Sequence, residues 1–307
     1  MADTIPIIFC VGPTGVGKSD AAMAVAGSLN AQIIACDAMQ VYREVNIANG
    51  KPSLEDQKRI PHHVLDCVSV TEEFDVSRYR QLALEAIDHI IARKKIPLIV
   101  GGSGMYMTVL LDGIFDDVVK DNELRESLEY QARQEGMGAL YQRLASLDLE
   151  AANNIHPNNL KRVIRALEVV LLTGQPISAL QKKRDGLWGK RPIKIVGLTR
   201  PREILYARVE ARIEAMFNNG LVEEVETIRA LTLSQTSRTI IGVPEVGGYL
   251  DGLYGLEQAK YLMKRNTRHY VKRQLTWFNR DKRIQWVNID EGTTTQQIGA
   301  EIFGLLN

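Results

Sequence analysis

The run Gly12-Pro-Thr-Gly-Val-Gly-Lys-Ser19 constrains this chain more than any other segment. It fits G-x-x-x-x-G-K-S/T, directly after the apolar run from Ile5 to Val11 and before an alanine-rich amphipathic stretch that reaches about Leu29. Strand, glycine loop and helix is the order that a phosphate-binding loop requires. In the loop Gly12, Pro13, Thr14, Gly15, Val16 and Gly17 the glycines let backbone N–H groups close around a phosphate, and the helix N-terminus adds a favourable dipole. Lys18 brings a mobile point charge to the outer phosphates, and Ser19 a hydroxyl for Mg²⁺. The motif predicts a bound di- or triphosphate without making ATP that ligand.

The rest of the chain repeats the pattern. Gln32 to Cys36 and Ile96 to Val100 are further buried strands, with an amphipathic helix from Phe74 to Arg93 between them. Continuous apolar strands alternating with helices predict an α/β fold, a P-loop NTPase-like parallel sheet with helices on both faces. From about Phe115 the pattern turns helical: Asp121 to Gln134, Met137 to Leu147 and Asn158 to Thr173, the last stopped by Gly174. The next strand-like run is Pro192 to Leu198. The predicted organisation is a first core part over 1–114, a helical insertion domain over 115–188, and a second core part over 189–307. The second part carries helices from Pro201 to near Gly220, Leu221 to Leu233 and Glu257 to about Asn279, then a last strand from Ile284 to Ile289.

Composition excludes the non-globular classes. The 307 residues are 45% hydrophobic and 24% charged, and the longest apolar runs fall far short of the roughly 20 residues a membrane span needs. The N-terminus enters the first strand without a basic leader, so no signal peptide is expected. Cys10, Cys36 and Cys67 are far apart, form no CxxC pair and read as reduced core residues of a cytoplasmic protein. The net charge is only +1, but its distribution is uneven. Gly113 to Glu150 holds nine acids and four bases; Ile155 to Arg202 holds eleven bases and two acids; Ala259 to Arg283 holds nine bases and one acid. Two basic segments on a neutral whole raise the question of nucleic acid.

Asp37 ends the second strand, at the sheet edge where open α/β sheets bind ligands. There a carboxylate ligates Mg²⁺, takes a proton from a nucleophile, or merely closes a turn. Gly101-Gly-Ser-Gly-Met-Tyr106 follows a strand after which many P-loop NTPases carry an acid; here there is none, which argues against an ATP-hydrolysing motor. Ser103 either meets a substrate or belongs to a plain turn. Arg208 and Arg212, four apart on one helical face, form either a polyphosphate clamp or part of a solvated face with Glu210 and Glu214. Lys260, Lys264, Arg268 and Lys272 repeat every four residues, and Lys161, Arg162 and Arg165 make a second basic helix face. Such stripes suit a phosphate backbone or are simply solvated.

Taken together, the segments resemble the tRNA dimethylallyltransferase (tRNA isopentenyltransferase) family over nearly the whole chain. They are the phosphate loop, Asp37-Ala-Met-Gln-Val-Tyr42, Gly50-Lys-Pro52, Pro61-His-His-Val-Leu-Asp66, Gly101-Gly-Ser-Gly-Met-Tyr106, Ile155-His-Pro157, Arg162-Val-Ile-Arg-Ala-Leu-Glu168 with Thr173-Gly174, Gly220-Leu-Val-Glu-Glu224 and Lys272-Arg-Gln-Leu-Thr-Trp-Phe278. The loop alone is generic; the ordered set is specific. The resemblance implies transfer of a dimethylallyl group from dimethylallyl pyrophosphate to the exocyclic amine of the adenosine just 3′ of a tRNA anticodon. The phosphate loop, with Arg208, then holds the donor's pyrophosphate.

By this similarity Asp37 is the general base, Thr14 bridges it to the reacting centre, and Arg212 stabilises the leaving pyrophosphate with Lys18 and with Mg²⁺ on Ser19. Asp37, Ala38, Met39, Gln40 and Ser103 contact the flipped adenosine or its neighbours. The segment Lys161, Arg162, Val163, Ile164 and Arg165 holds the anticodon stem-loop, with Lys264, Arg268 and Lys272 from the last helix. A monomer without membrane contact is expected. The chain departs from the family in Ala38 for the usual Ser, Ser103 for the usual Thr, Val243 for the usual Tyr, and the stretch Ile47-Ala-Asn-Gly50. Three rivals remain open on sequence: a P-loop kinase, an enzyme prenylating free adenine nucleotides, and a non-enzymatic RNA-binding module.

Overall fold

The computed structural model describes residues 5–114 and 121–306; the predicted start of the insertion at 115 and the terminal Asn307 lie outside them. The chain divides into two compact units, one of Met1–Leu110 with Trp188–Asn307 and one of Leu111–Leu187.

The first unit opens with β1 (Ile7–Val11), α1 (Lys18–Ala26), β2 (Ala31–Ala35), α2 (Leu54–Arg59), β3 (His62–His63), α3 (Val76–Ala92), β4 (Ile96–Gly101) and α4 (Gly104–Leu111). The second holds α5 (Asn122–Glu135), α6 (Met137–Leu147), α7 (Leu149–Asn154), α8 (Leu160–Thr173) and α9 (Ile177–Lys182). The first resumes with β5 (Ile193–Thr199), α10 (Arg202–Asn218), α11 (Leu221–Arg229), α12 (Val243–Leu250), α13 (Leu256–Phe278), β6 (Gln285–Asn288) and α14 (Thr295–Leu306).

All six strands pair in parallel, in the order β3-β2-β4-β1-β5-β6. Every residue of β1 and β2 is buried. Because alternate side chains point to opposite faces, the sheet is covered on both, as its unbroken apolar runs predict. Chain direction then fixes the ligand edge. From β1 the chain crosses over β4 to reach β2, whereas from β4 it goes on to β5 on the far side of β1. Outgoing connections that diverge from two adjacent strands leave a crevice between their carboxyl ends. The phosphate loop leaves β1 and the Gly101–Tyr106 turn leaves β4 at that crevice. Cys10 and Cys36 are buried free thiols, each pushed up to about 12 by burial, and Cys67 is half-buried and free.

The helical unit has its own core, with Leu128, Leu140, Leu144, Val163, Leu167 and Ile177 packed together. The same unit holds the fully buried Glu168 carboxylate. It accepts both Arg125 Nε and Nη2 at 2.8 Å, Arg165 Nη1 at 2.6 Å and the Asp121 N–H at 2.9 Å. These bonds hold the carboxyl below its usual range against the opposing effect of burial. Val163 and Ile164 are 1% and 5% exposed, so two of the five residues predicted to hold tRNA face the core instead. A helix that contacts solvent on one face must turn such residues inward. Lys161 and Arg162 are exposed.

Among the described residues no helix is long and apolar enough to cross a membrane.

Candidate active site

The phosphate loop is built by its glycines and braced from outside. Gly17 caps α1 in the left-handed region at φ 104°, a conformation that a side chain strains. Three arginines donate to or beside it. Arg200 Nε reaches Val16 O at 2.9 Å, Arg208 Nε reaches Gly15 O at 3.0 Å, and Arg212 Nη1 reaches Thr14 Oγ1 at 3.3 Å. Lys18 Nζ donates to Pro13 O at 2.8 Å. Burial lowers the Lys18 ammonium to about 8, with Asp37 acting in the opposite direction. Burial likewise lowers Arg212, again opposed by Asp37. Cations that are partly desolvated and lack full compensation are primed to receive an anion.

Asp37 follows β2 and accepts the Met39 N–H on Oδ1 at 2.9 Å. The loop after it is held tightly. Gln40 Nε2 donates to Asn49 O and Gly50 O at 3.3 and 3.4 Å, and Asn49 Nδ2 donates to Met39 O. Glu224 on α11 accepts three successive backbone N–H groups, those of Asn46, Ile47 and Ala48, at 2.7 to 2.9 Å. Gly50 (φ 50°) lies so close that a side chain there would run into the Arg212 guanidinium.

Two cavities share this edge. A cleft of about 1130 Å³ is lined by Thr14, Gly15 and Gly17 to Asp20 of the loop, with Gln40, Lys51, Arg208 and Gln274. A second cavity of about 320 Å³ is mostly apolar, lined by Val209, Ile213, Met216, Ile240, Met263 and Tyr270. Thr14, Asp37, Asn49 and Arg212 line both. A polar, cationic chamber therefore meets an apolar one across a carboxylate, a hydroxyl and a guanidinium.

Among the described residues no three His, Cys, Asp or Glu side chains cluster to hold a metal. A Mg²⁺ ion would take its ligands from hard oxygens: the exposed Ser19 hydroxyl beside Asp20 in the cleft, the bound phosphates and water. The donor set fits that ion.

Several predicted site residues stand elsewhere. Ser103 caps α4: its Oγ accepts the Tyr106 N–H at 3.4 Å and its N–H donates to Cys36 O at 3.0 Å. On α13, Lys264 pairs with Glu214 and Arg268 with Glu210, each at 2.5 Å, and Lys260 pairs with Glu214 at 3.2 Å. The stripe thus faces the protein's own acids on α10 along three of its four members. Lys272 is exposed. Sequence reasoning missed Arg200, Asn49, Glu224 and Gln274 as site residues. A signal existed for three of them: Arg200 directly follows a strand end, Glu224 ends the Gly220–Glu224 motif, and Gln274 lies within the Lys272–Phe278 motif.

The model of a family described as IPP transferase matches residues 40–281. The chain belongs to the IPP transferase family. The match begins after the phosphate loop and Asp37. A tRNA dimethylallyltransferase of Alkaliphilus oremlandii is 42% identical over 286 residues, covering 92% of this chain and 91% of the relative. One of Natranaerobius thermophilus is 42% identical over 294 residues, covering 94% and 88%. Among solved structures, a tRNA isopentenylpyrophosphate transferase of Bacillus halodurans is 34% identical with a TM-score of 0.72, over 99% of this chain and 97% of that one. A eukaryotic dimethylallyltransferase captured acting on tRNA superposes with a TM-score of 0.84 at 26% identity, over 98% of this chain and 78% of the other.

Proposed function

We propose that this chain transfers a dimethylallyl group from dimethylallyl pyrophosphate to N6 of the adenosine 3′-adjacent to the anticodon in tRNA, releasing pyrophosphate. It is a prenyltransferase that modifies tRNA. One observation carries the finer reading: Thr14, Asp37, Asn49 and Arg212 line both a phosphate-binding cleft and an apolar cavity. A donor with a pyrophosphate head and a five-carbon apolar tail, and a planar base as acceptor, need such a junction.

In this reading the pyrophosphate lies on the loop, with its allylic carbon at the shared residues, and the adenine enters through the apolar cavity beside Tyr270. The carbon–oxygen bond to pyrophosphate breaks as the carbon–nitrogen bond to N6 forms, and the N6 proton passes to Asp37. An exocyclic amine is a weak nucleophile, so holding it in line with the carbon supplies much of the rate. Lys18 and Arg212 stabilise charge growing on the departing pyrophosphate. A Mg²⁺ ion on Ser19, when bound, neutralises part of that charge. On the helical unit the exposed Lys161 and Arg162, and on the sheet unit the exposed Lys272, are the cations we assign to tRNA phosphates. We read the working enzyme as a cytoplasmic monomer.

The test is a product analysis. Unmodified tRNA is incubated with the protein, Mg²⁺ and dimethylallyl pyrophosphate, digested, and its fragments are sequenced by mass spectrometry. The mass of one dimethylallyl group should appear on the adenosine 3′ of the anticodon. Addition at another nucleotide or at a ribose oxygen would overturn the assignment.

A further inference from the structure

Gln274 is a buried polar side chain at the centre of the site, 5% exposed, on a helix otherwise read as basic and solvated. Its carboxamide joins two loops. Oε1 accepts the Thr14 N–H at 2.9 Å, and Nε2 donates to Gly102 O at 2.9 Å. The amide orientation is fixed by its partners, since one can only donate and the other can only accept. Gly102 admits no side chain, because a Cβ there would collide with Nε2.

The sheet order shows why this matters. Thr14 follows β1 and Asp37 follows β2, but β4 lies between those strands. No ladder joins the two catalytic segments directly. The turn after β4 is bound to one side by the Ser103 N–H donating to Cys36 O at 3.0 Å, next to Asp37. Gln274 binds it to the other side. Hydrogen bonds therefore join Thr14 to Gln274, Gln274 to Gly102, and Ser103 to Cys36, with the peptide links Gly102–Ser103 and Cys36–Asp37 completing the path.

We infer that Gln274 is a positioning residue for prenyl transfer, which sets the spacing between the Thr14 hydroxyl and the Asp37 carboxylate through the Gly102–Ser103 turn. The inference rests on the transferase reading above. A carboxamide is required because the two partners demand one acceptor and one donor. Glutamate keeps the acceptor for Thr14 and sets a carboxylate oxygen against Gly102 O; a methionine of similar length supplies neither bond. Crowding against that carbonyl disfavours the charged form of the glutamate, and its protonated form restores the donor.

The experiment compares wild type, Gln274→Glu and Gln274→Met in transfer of labelled dimethylallyl groups to tRNA between pH 6 and 8.5. Amide exchange is read at Thr14 in the same proteins. Misalignment predicts that Gln274→Glu loses about tenfold or more in kcat at pH 8, with KM for the prenyl donor within threefold. The deficit relative to wild type shrinks toward pH 6. Gln274→Met shows the deficit at every pH and faster exchange at Thr14. Wild-type kcat in Gln274→Met, a deficit of Gln274→Glu that is flat with pH, or unchanged protection of the Thr14 amide would overturn the inference. If wild type itself transfers nothing to tRNA, the functional reading fails instead, and the exchange at Thr14 alone decides whether Gln274 holds the loop.

Discussion

Arg212 Nη1 donates to Thr14 Oγ1 at 3.3 Å, so the guanidinium of α10 and the hydroxyl of the phosphate loop present themselves to the ligand as one unit. Both residues line the cleft and the apolar cavity. The contact gives the Arg208–Arg212 pair its asymmetry. Arg208 braces the loop through Gly15 O, whereas Arg212 faces the junction.

Arg212→Ala is expected to lower kcat by about 10²- to 10³-fold, the range found when a preorganised donor to a developing anion is removed. Arg212→Lys recovers only part, because an ammonium cannot serve Thr14 and a phosphate oxygen in one plane. Single-turnover kinetics at saturating donor measure the step directly. A loss confined to KM would move Arg212 from the transition state to ground-state binding.

Asp37→Asn is expected to cut turnover strongly while tRNA binding stays within a few-fold. The amide oxygen can still accept the Met39 N–H, so the loop is retained. What disappears is the proton acceptor. Filter binding and single-turnover transfer on the same preparation separate the two effects, and undiminished transfer would remove Asp37 as the base.

Lys18 gives the site a pH dependence. Burial lowers its ammonium to about 8, so the free enzyme is cationic there below that pH and loses the charge above it. A bound pyrophosphate favours the protonated form. Affinity for the donor should therefore fall as pH rises through about 8, while kcat at saturating donor changes less. The check is kcat/KM for dimethylallyl pyrophosphate from pH 6.5 to 9.5; a flat profile across that window would show that Lys18 stays charged throughout.

The basic stripe of α13 divides into paired and free members. Lys264 and Arg268 already meet Glu214 and Glu210, so neutralising them removes few tRNA phosphate contacts. Lys272 is exposed. Lys272→Ala should reduce the salt slope of tRNA binding by about 1, and Lys264→Ala by clearly less. Equal slopes for the two variants would contradict this division.

How far the sequence reveals these features depends on range. β1 and β4 are legible because their runs are continuously apolar, and β2 and β5 because their runs, interrupted by Gln32 and Lys194, are otherwise mainly apolar and buried. β3 is two histidines paired with Ile33 and Ile34, and carries no such run. α12 contains Pro244 and two adjacent glycines, Gly247 and Gly248, which mask it in the sequence; Pro244 stands in its first turn, where proline is tolerated, Glu245 accepts the Gly242 N–H at 2.7 Å, and the helix packs against α11 and α13. The phosphate loop is local and fully readable. Gln274 meets Thr14 across 260 positions, which no periodicity encodes. The stripe shows the same limit. Its four-residue repeat is visible, but so is a matching repeat at Glu210 and Glu214, and only the packing of α10 against α13 turns the two into ion pairs.

The most direct measurement offers the enzyme a choice of acceptors. Labelled dimethylallyl pyrophosphate and Mg²⁺ are supplied with unmodified tRNA, and separately with AMP, ADP and ATP. Label in tRNA and in none of the free nucleotides is the predicted result. Label in a free nucleotide, or transfer to no acceptor at all, would contradict the account.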